Sequence, residues 1–258
     1  MAMGMLRLLK FMGSSTRTIE ISTINKLRGW LGKYFYFSMS LLVAVVVVYG
    51  FSHTIDHNLI HAMPIRPWIL YLHGAVFSGW VVFFILQSAL VRVHKVKVHR
   101  TLGWFGVALG VVIPVLGTST AITMARFRIL HFHQTAISPF LAVQFNEMAT
   151  FAVCFALAIL WRRKPEFHRR LILIATCGLT GAAFARFPGV GISRMGLVYA
   201  CVDALIFLGV LRDLIVSKRI HQVYLYALPV LIVTQTIAVH LFLTAPAQWV
   251  RITNAILR

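Results

Sequence analysis

Four ionisable residues stand inside long apolar stretches of this 258-residue chain: His73, Glu147, Asp203 and His240. His73 lies six residues past Pro67, Glu147 eight past Pro139 and Asp203 eight past Met195, while His240 precedes Thr244 by four. At 1.5 Å per helical residue, the first three sit roughly 9–12 Å below one common boundary, and His240 lies near the same level. A charge at that depth in hydrocarbon costs a few kcal/mol unless it is paired, so such groups face the bundle interior and one another. Imidazoles and carboxylates gathered in one layer suit zinc, copper or iron. The loops at the same boundary add more imidazoles. His53, His57 and His61 recur every fourth residue, a spacing that stacks them on one face of a helix, and His131 and His133 follow on another loop.

Other chemistries compete with a metal site. A haem b needs histidines facing each other across helices, and two pairings offer themselves: His73 with His240 at one depth, and His99 with His168 at another. His99, Arg100, His168 and Arg169 also have a simpler reading, because they stand in short basic turns where they meet lipid headgroups and helix ends. Arg186 is the natural counter-ion for Glu147 or Asp203. Gln144 and Asn146 flank Glu147 and make a polar patch, as a seam or a proton or solute path would need, although the paired inverted repeats of many transporters are not evident. The plainest alternative is an accessory or scaffold subunit whose polar residues only lock helices together. No phosphate-binding loop, dinucleotide fingerprint, nucleophile elbow or H-E-x-x-H motif occurs.

The elements that position these residues follow from composition. Residues are 59% hydrophobic and only 12% charged, against about 25% charged in soluble domains, and the mean hydropathy is +0.83. The apolar residues are gathered into runs about long enough to cross ~30 Å of hydrocarbon. The expected fold is all-α, one polytopic bundle of seven transmembrane helices. The spans lie near 34–52, 67–91, 101–125, 139–161, 171–185, 195–211 and 222–244. Span 171–185 is the shortest and must rely on snorkelling by Arg170 and Arg186. Pro114 predicts a kink in the third span. Residues 1–33 form a basic segment with a break at Gly13-Ser-Ser-Thr, 34–245 the transmembrane domain, and 246–258 a short outer tail.

The net charge of +19 does not point to nucleic acid, because the basic residues sit in turns between spans. There they set orientation and meet anionic lipid. The N-terminal segment and the turns on its side hold 18 Lys and Arg, and the loops and tail on the other side hold 7. This bias places the N-terminus in the cytoplasm and the C-terminus outside, as expected in a bacterial inner membrane. Cys154, Cys177 and Cys201 all fall in apolar runs and read as buried small hydrophobes. A loose plan recurs three times: a span with one ionisable group, a basic turn with a histidine, then another span.

Leu72-His73-Gly74, Phe77, Trp80, Gln87 and the turn His99-Arg100-x-Leu102-Gly103 carry a resemblance. So do the later R-R-K-P-E-x-H-R-R-L and A-R-F-P. The chain resembles a group of bacterial multi-pass membrane proteins of unassigned function, over most of residues 35–245. More distantly it is similar to small membrane proteins that assist cytochrome oxidase assembly. The resemblance implies an inner-membrane helical bundle and hints at metal or haem chemistry; separately, the lipid bilayer and other membrane-protein subunits are the expected partners. The basic N-terminus and the loop with His53, His57 and His61 have no counterpart in that group.

Overall fold

Apolar runs without internal turn residues satisfy their backbone polar groups most simply as helices, and hydrocarbon demands it. A computed structural model describes the backbone of residues 2–258 and the side chains of residues 23, 25–134 and 138–258. Its helices are α1 (Ala2–Ser52), α2 (Trp68–Arg92), α3 (Val96–Phe132), α4 (Leu141–Leu160), α5 (Pro165–Gly178), α6 (Gly181–Phe184), α7 (Met195–Ser217), α8 (Gln222–Thr244) and α9 (Ala247–Leu257). No strand occurs among the described residues. Six stretches are long and apolar enough to cross a membrane: Asn25–Ser52, Trp68–Arg92, Val96–Phe132, Ser138–Leu160, Ile192–Ser217 and Gln222–Thr244. The chain therefore has the build of a multi-pass membrane protein whose outer faces meet lipid.

Differences from expectation have local causes. α1 is continuous through Gly13–Thr16, because small and hydroxylated residues weaken a helix without forbidding it. α3 reaches from Val96 to Phe132, well beyond 101–125, since the flanking residues include no glycine or proline to stop it. At about 1.5 Å per residue its 37 residues exceed the ~30 Å of hydrocarbon, and Pro114 lies inside it. Left-handed residues end three helices: His133 closes α3, Lys218 closes α7 and Ala245 closes α8. His221 opens α8 as an N-cap, its Nδ1 accepting from the Val223 amide at 3.2 Å.

The expected fifth span is not one long helix. α5 has 14 residues, about 21 Å, and the chain breaks at Leu179 and Thr180 before the single turn of α6. Even so, this segment and its flanks touch α1 at two levels, near Tyr36 and near Gly50. Near its start, Arg169 lies over the Tyr36 ring at 5.1 Å. Near its end, Ala183 backs onto Gly50 and Arg186 donates to Thr54. Gly50 is required there. A Cβ at Gly50 would overlap the Ala183 carbonyl oxygen, so only glycine lets the two backbones meet.

The core is aromatic and aliphatic. Trp80 of α2 lies edge-on to Phe151 and Phe155 of α4, with centroids 5.2 and 5.7 Å away. Its Nε1 donates to Thr176 Oγ1 of α5 at 3.3 Å. Leu173, Ile174 and Cys177 of α5 and Val198 and Ile206 of α7 are fully buried around them. The two ends of the bundle differ in their connections. The basic end has the turns 92–100, 161–170 and 212–221, and the far end has the loops 53–67, 126–140 and 186–194.

Candidate functional site

Glu147 enters the bundle from α4 and faces α6 so closely that a Cβ at Gly181 would overlap its Oε1. It borders an internal cavity also lined by Asn146, Thr150, Tyr199 and Gln235, with a free volume of about 10 Å³, room for one water molecule. Asn146 Nδ2 donates to the Tyr199 hydroxyl at 3.3 Å, which ties α4 to α7. Buried Gln235 of α8 donates to Asp203 Oδ1 of α7 at 3.0 Å. Polar groups from three helices thus meet around a space too small for a solute.

His73 and Arg186 lie toward the far end. The half-buried His73 ring stacks on Phe77 at 3.9 Å, and its Nδ1 is buried without a hydrogen-bond partner. Arg186 is within Coulombic reach of His73, Glu147 and Arg128. Its direct contacts are uncharged: Nε donates to Thr54 Oγ1 at 3.0 Å, Nη1 to the Ala182 carbonyl, and the guanidinium lies 4.3 Å over the Phe51 ring. Among the described residues neither Glu147 nor Asp203 forms an ion pair with it. His240 stands on an exposed face of α8, away from the cavity lining. The expected layer of four therefore resolves into a cavity with Glu147 beside the Gln235–Asp203 pair, a neighbouring His73 and Arg186, and an outward His240.

The loop histidines are engaged with local partners. A π-type turn over Asp56–Ile60 breaks the regular stack of His53, His57 and His61. His53 Nδ1 meets the Tyr49 carbonyl at 2.7 Å, and His61 Nδ1 meets Asp56 Oδ1 at 2.6 Å. His57 stands 3.9 Å from the other Asp56 oxygen. His131 packs its ring 4.4 Å from that of Phe127, and His133 is exposed at the helix end.

At the basic end, His99 and His168 turn toward each other, their ring centroids 6.4 Å apart. His168 Nδ1 donates to the Ala158 carbonyl at 2.9 Å. Burial holds the pKa of His168 below the ordinary histidine value, against the opposing pull of that carbonyl. His99 lies against the Gln87 backbone, and its Nδ1 is buried and unpartnered. Arg100 is exposed.

The strongest charged constellation escaped the sequence reading. Arg170 is 2% exposed and forks onto Asp213, itself fully buried, with Nε to Oδ2 at 2.8 Å and Nη2 to Oδ1 at 2.6 Å. Arg212 adds Nη1 to Oδ1 at 2.9 Å. Glu166 takes Arg170 Nη1 at 2.6 Å and Arg169 Nη2 at 2.5 Å. Partial burial tends to raise the Glu166 pKa, but the hydrogen bonds and charges of Arg170 and Arg169 outweigh it and hold the carboxyl below its ordinary range. Tyr36 of α1 lies beneath both Arg169 and Arg212, so α1, α5 and α7 are joined at one point. One signal for this was available. Only six acids occur in the chain, and Asp213 stands at the end of a span beside Arg212.

Among the described residues, no three His, Cys, Asp or Glu side chains gather as a metal ion would need. His99 and His168 bring two imidazoles together, with ring centroids 6.4 Å apart. Compared with known proteins, the chain matches no family model, no curated protein and no solved structure.

Proposed function

We propose that this chain is a bacterial inner-membrane protein with seven crossings and its N-terminus in the cytoplasm. We further propose that it serves as a non-enzymatic accessory or scaffold subunit of a membrane assembly. The observation that carries the reading is the use made of the buried polar groups. Arg170, Asp213 and Arg212, like Asp203 with Gln235 and Asn146 with Tyr199, join one helix to another. The cavity lined by Asn146, Glu147, Tyr199 and Gln235 has room for one water molecule and none for a solute. The seventh crossing is the segment 171–185, supported by the contact of Ala183 with Gly50 of α1 and, just before its start, of Arg169 with Tyr36 of α1. Orientation rests on the lysine and arginine bias, and the likeness to the bacterial group with the same histidine-bearing helix and turn supports the location.

Topology has a direct test. With seven crossings, alkaline phosphatase fused after Arg258 is active and a green fluorescent protein there stays dark. Six crossings reverse both signals. The scaffold reading is tested by extraction with its native lipid in a styrene–maleic acid copolymer. A particle holding a second, stoichiometric polypeptide is expected, and a chain recovered alone overturns the reading.

A second reading keeps metal or haem association. It is favoured by His99 and His168, whose rings converge from two turns with the His99 Nδ1 unpartnered. Those two imidazoles would hold the iron of a haem b, or a zinc, copper or iron ion. A Soret band, or stoichiometric metal in purified protein, that disappears in His168→Ala supports this reading. Neither signal after purification with haem and metals supplied removes it.

A further inference from the structure

We propose that the far end carries an oxyanion site, built from Arg66, Arg128 and Arg186, that takes a phosphate group.

Arginine usage is the first observation. All seven lysines of the chain fall on the basic end or its N-terminal extension. The far side holds only arginines: Arg66, Arg126, Arg128, Arg186, Arg194, Arg251 and Arg258. Arginine presents a planar fork of donors that grips an oxyanion through two hydrogen bonds, whereas lysine acts as a point charge.

The second observation is where three of these arginines go. Arg66, in the loop before α2, lies 5.3 Å over both Phe127 and Phe132 of α3. That contact sets it beside Arg128, the residue after Phe127. Arg128 is within Coulombic reach of Arg66 on one side and Arg186 on the other. Three elements thus bring three half-buried guanidinium groups into one neighbourhood.

The third observation is the lack of compensation. Among the described residues none of the three forms an ion pair. The other charged or titratable groups within reach of Arg186 are Glu147 from α4, which acts on it, and His73 from α2, on which it acts. One carboxylate against three guanidinium groups leaves an excess of positive charge where water is scarce. Two buried nitrogens there lack any partner, Arg66 Nη1 and His73 Nδ1. The Arg128 guanidinium makes no hydrogen bond among the described residues. Arg186 has two neutral acceptors, the Thr54 hydroxyl and the Ala182 carbonyl, as Arg126 has the Ile256 and Leu257 carbonyls and Arg194 that of Gly189; what sets Arg186 apart is its Coulombic reach to Arg128. Like charges held together with a single carboxylate in reach are costly, and a phosphate oxyanion offsets that cost by accepting from the guanidinium nitrogens still free on the three. Its source is either a lipid headgroup of the adjoining leaflet or free phosphate.

Thermal melting of the full chain tests this directly. In phosphate-free detergent after delipidation, Arg128→Gln melts at or above the wild-type temperature, because the substitution relieves repulsion. Sodium phosphate, added against sodium chloride at equal ionic strength, raises the melting temperature of wild type and Arg194→Gln but not of Arg128→Gln. If lipid is the source, phosphate alone does little, and nanodiscs of phosphatidylcholine with phosphatidylglycerol give the same ranking relative to phosphatidylcholine alone. Loss of stability in Arg128→Gln that is equal with and without the anion assigns Arg128 a packing role and overturns the proposal. So does a wild type that responds to neither probe, or an Arg128→Gln that responds as fully as wild type.

Discussion

The two ends of the bundle handle arginine in opposite ways. At the basic end, Arg169, Arg170 and Arg212 are drawn onto two carboxylates, Glu166 and Asp213, with hydrogen bonds of 2.5–2.9 Å. At the far end, Arg66 and Arg186 lie on aromatic faces, Arg186 also donates to a hydroxyl and a carbonyl, and Arg128 meets no acceptor among the described residues. The same side chain is thus an internal lock in one place and an uncompensated charge in the other. A count of basic residues reports orientation alone, and only the placement of the few acids separates the two uses.

The largest expected effect breaks the lock. Asp213→Asn leaves Arg212 buried without a carboxylate and Arg170 with Glu166 alone, and it costs about 3–5 kcal/mol, the range for removing one partner of a buried pair. It is read as a lowered unfolding midpoint of the detergent-solubilised chain. Arg170→Met combined with Asp213→Leu loses less than the two single changes together. Additive losses would show that the groups do not act as a pair.

Backbone contact at the far end comes next. Gly50→Ala drives a methyl group into the Ala183 carbonyl and costs about 1–3 kcal/mol. Crosslinking between cysteines placed at Ser52 and Ala185 should weaken in that variant, and unchanged crosslinking would mean the two backbones separate at no cost. Arg186→Gln loses its bonds to Thr54 and Ala182 and its place over Phe51, worth about 1.5 kcal/mol in the same melting assay. A loss as large as that of Asp213→Asn would erase the contrast between the ends.

The smallest effect sharpens it through pH. The Glu166 carboxyl is held below its ordinary range in the fold, so the unfolded chain takes up that proton first. Its stabilising pairing with Arg169 and Arg170 is complete at neutral pH and is lost as pH falls from the ordinary carboxylate range through the lowered value. The side chain is 54% exposed, so the contribution is under about 1 kcal/mol. Glu166→Gln should flatten this part of the stability profile and leave the neutral-pH value nearly unchanged.

The sequence alone determined the helical, multi-pass build, because runs of apolar residues of membrane-spanning length leave the backbone no other way to satisfy itself. It also marked the turns, through Pro67, Pro165 and the clustered basic residues. It picked out Glu147 and Asp203 as groups needing company, since a carboxylate in an apolar run stands out by contrast. What it could not decide was the company. Which face of a helix a residue occupies relative to helices distant in the chain depends on packing, so Gln235 rather than a metal-ligating residue came to meet Asp203, and His240 turned outward. Only the tertiary structure joined Arg170 to Asp213 across 43 residues of chain, bent the segment 171–185 at Thr180, and set three arginines from separate elements beside one another. Each of those outcomes is a contact between elements, and contacts are fixed by the whole set of packed surfaces rather than by local spacing.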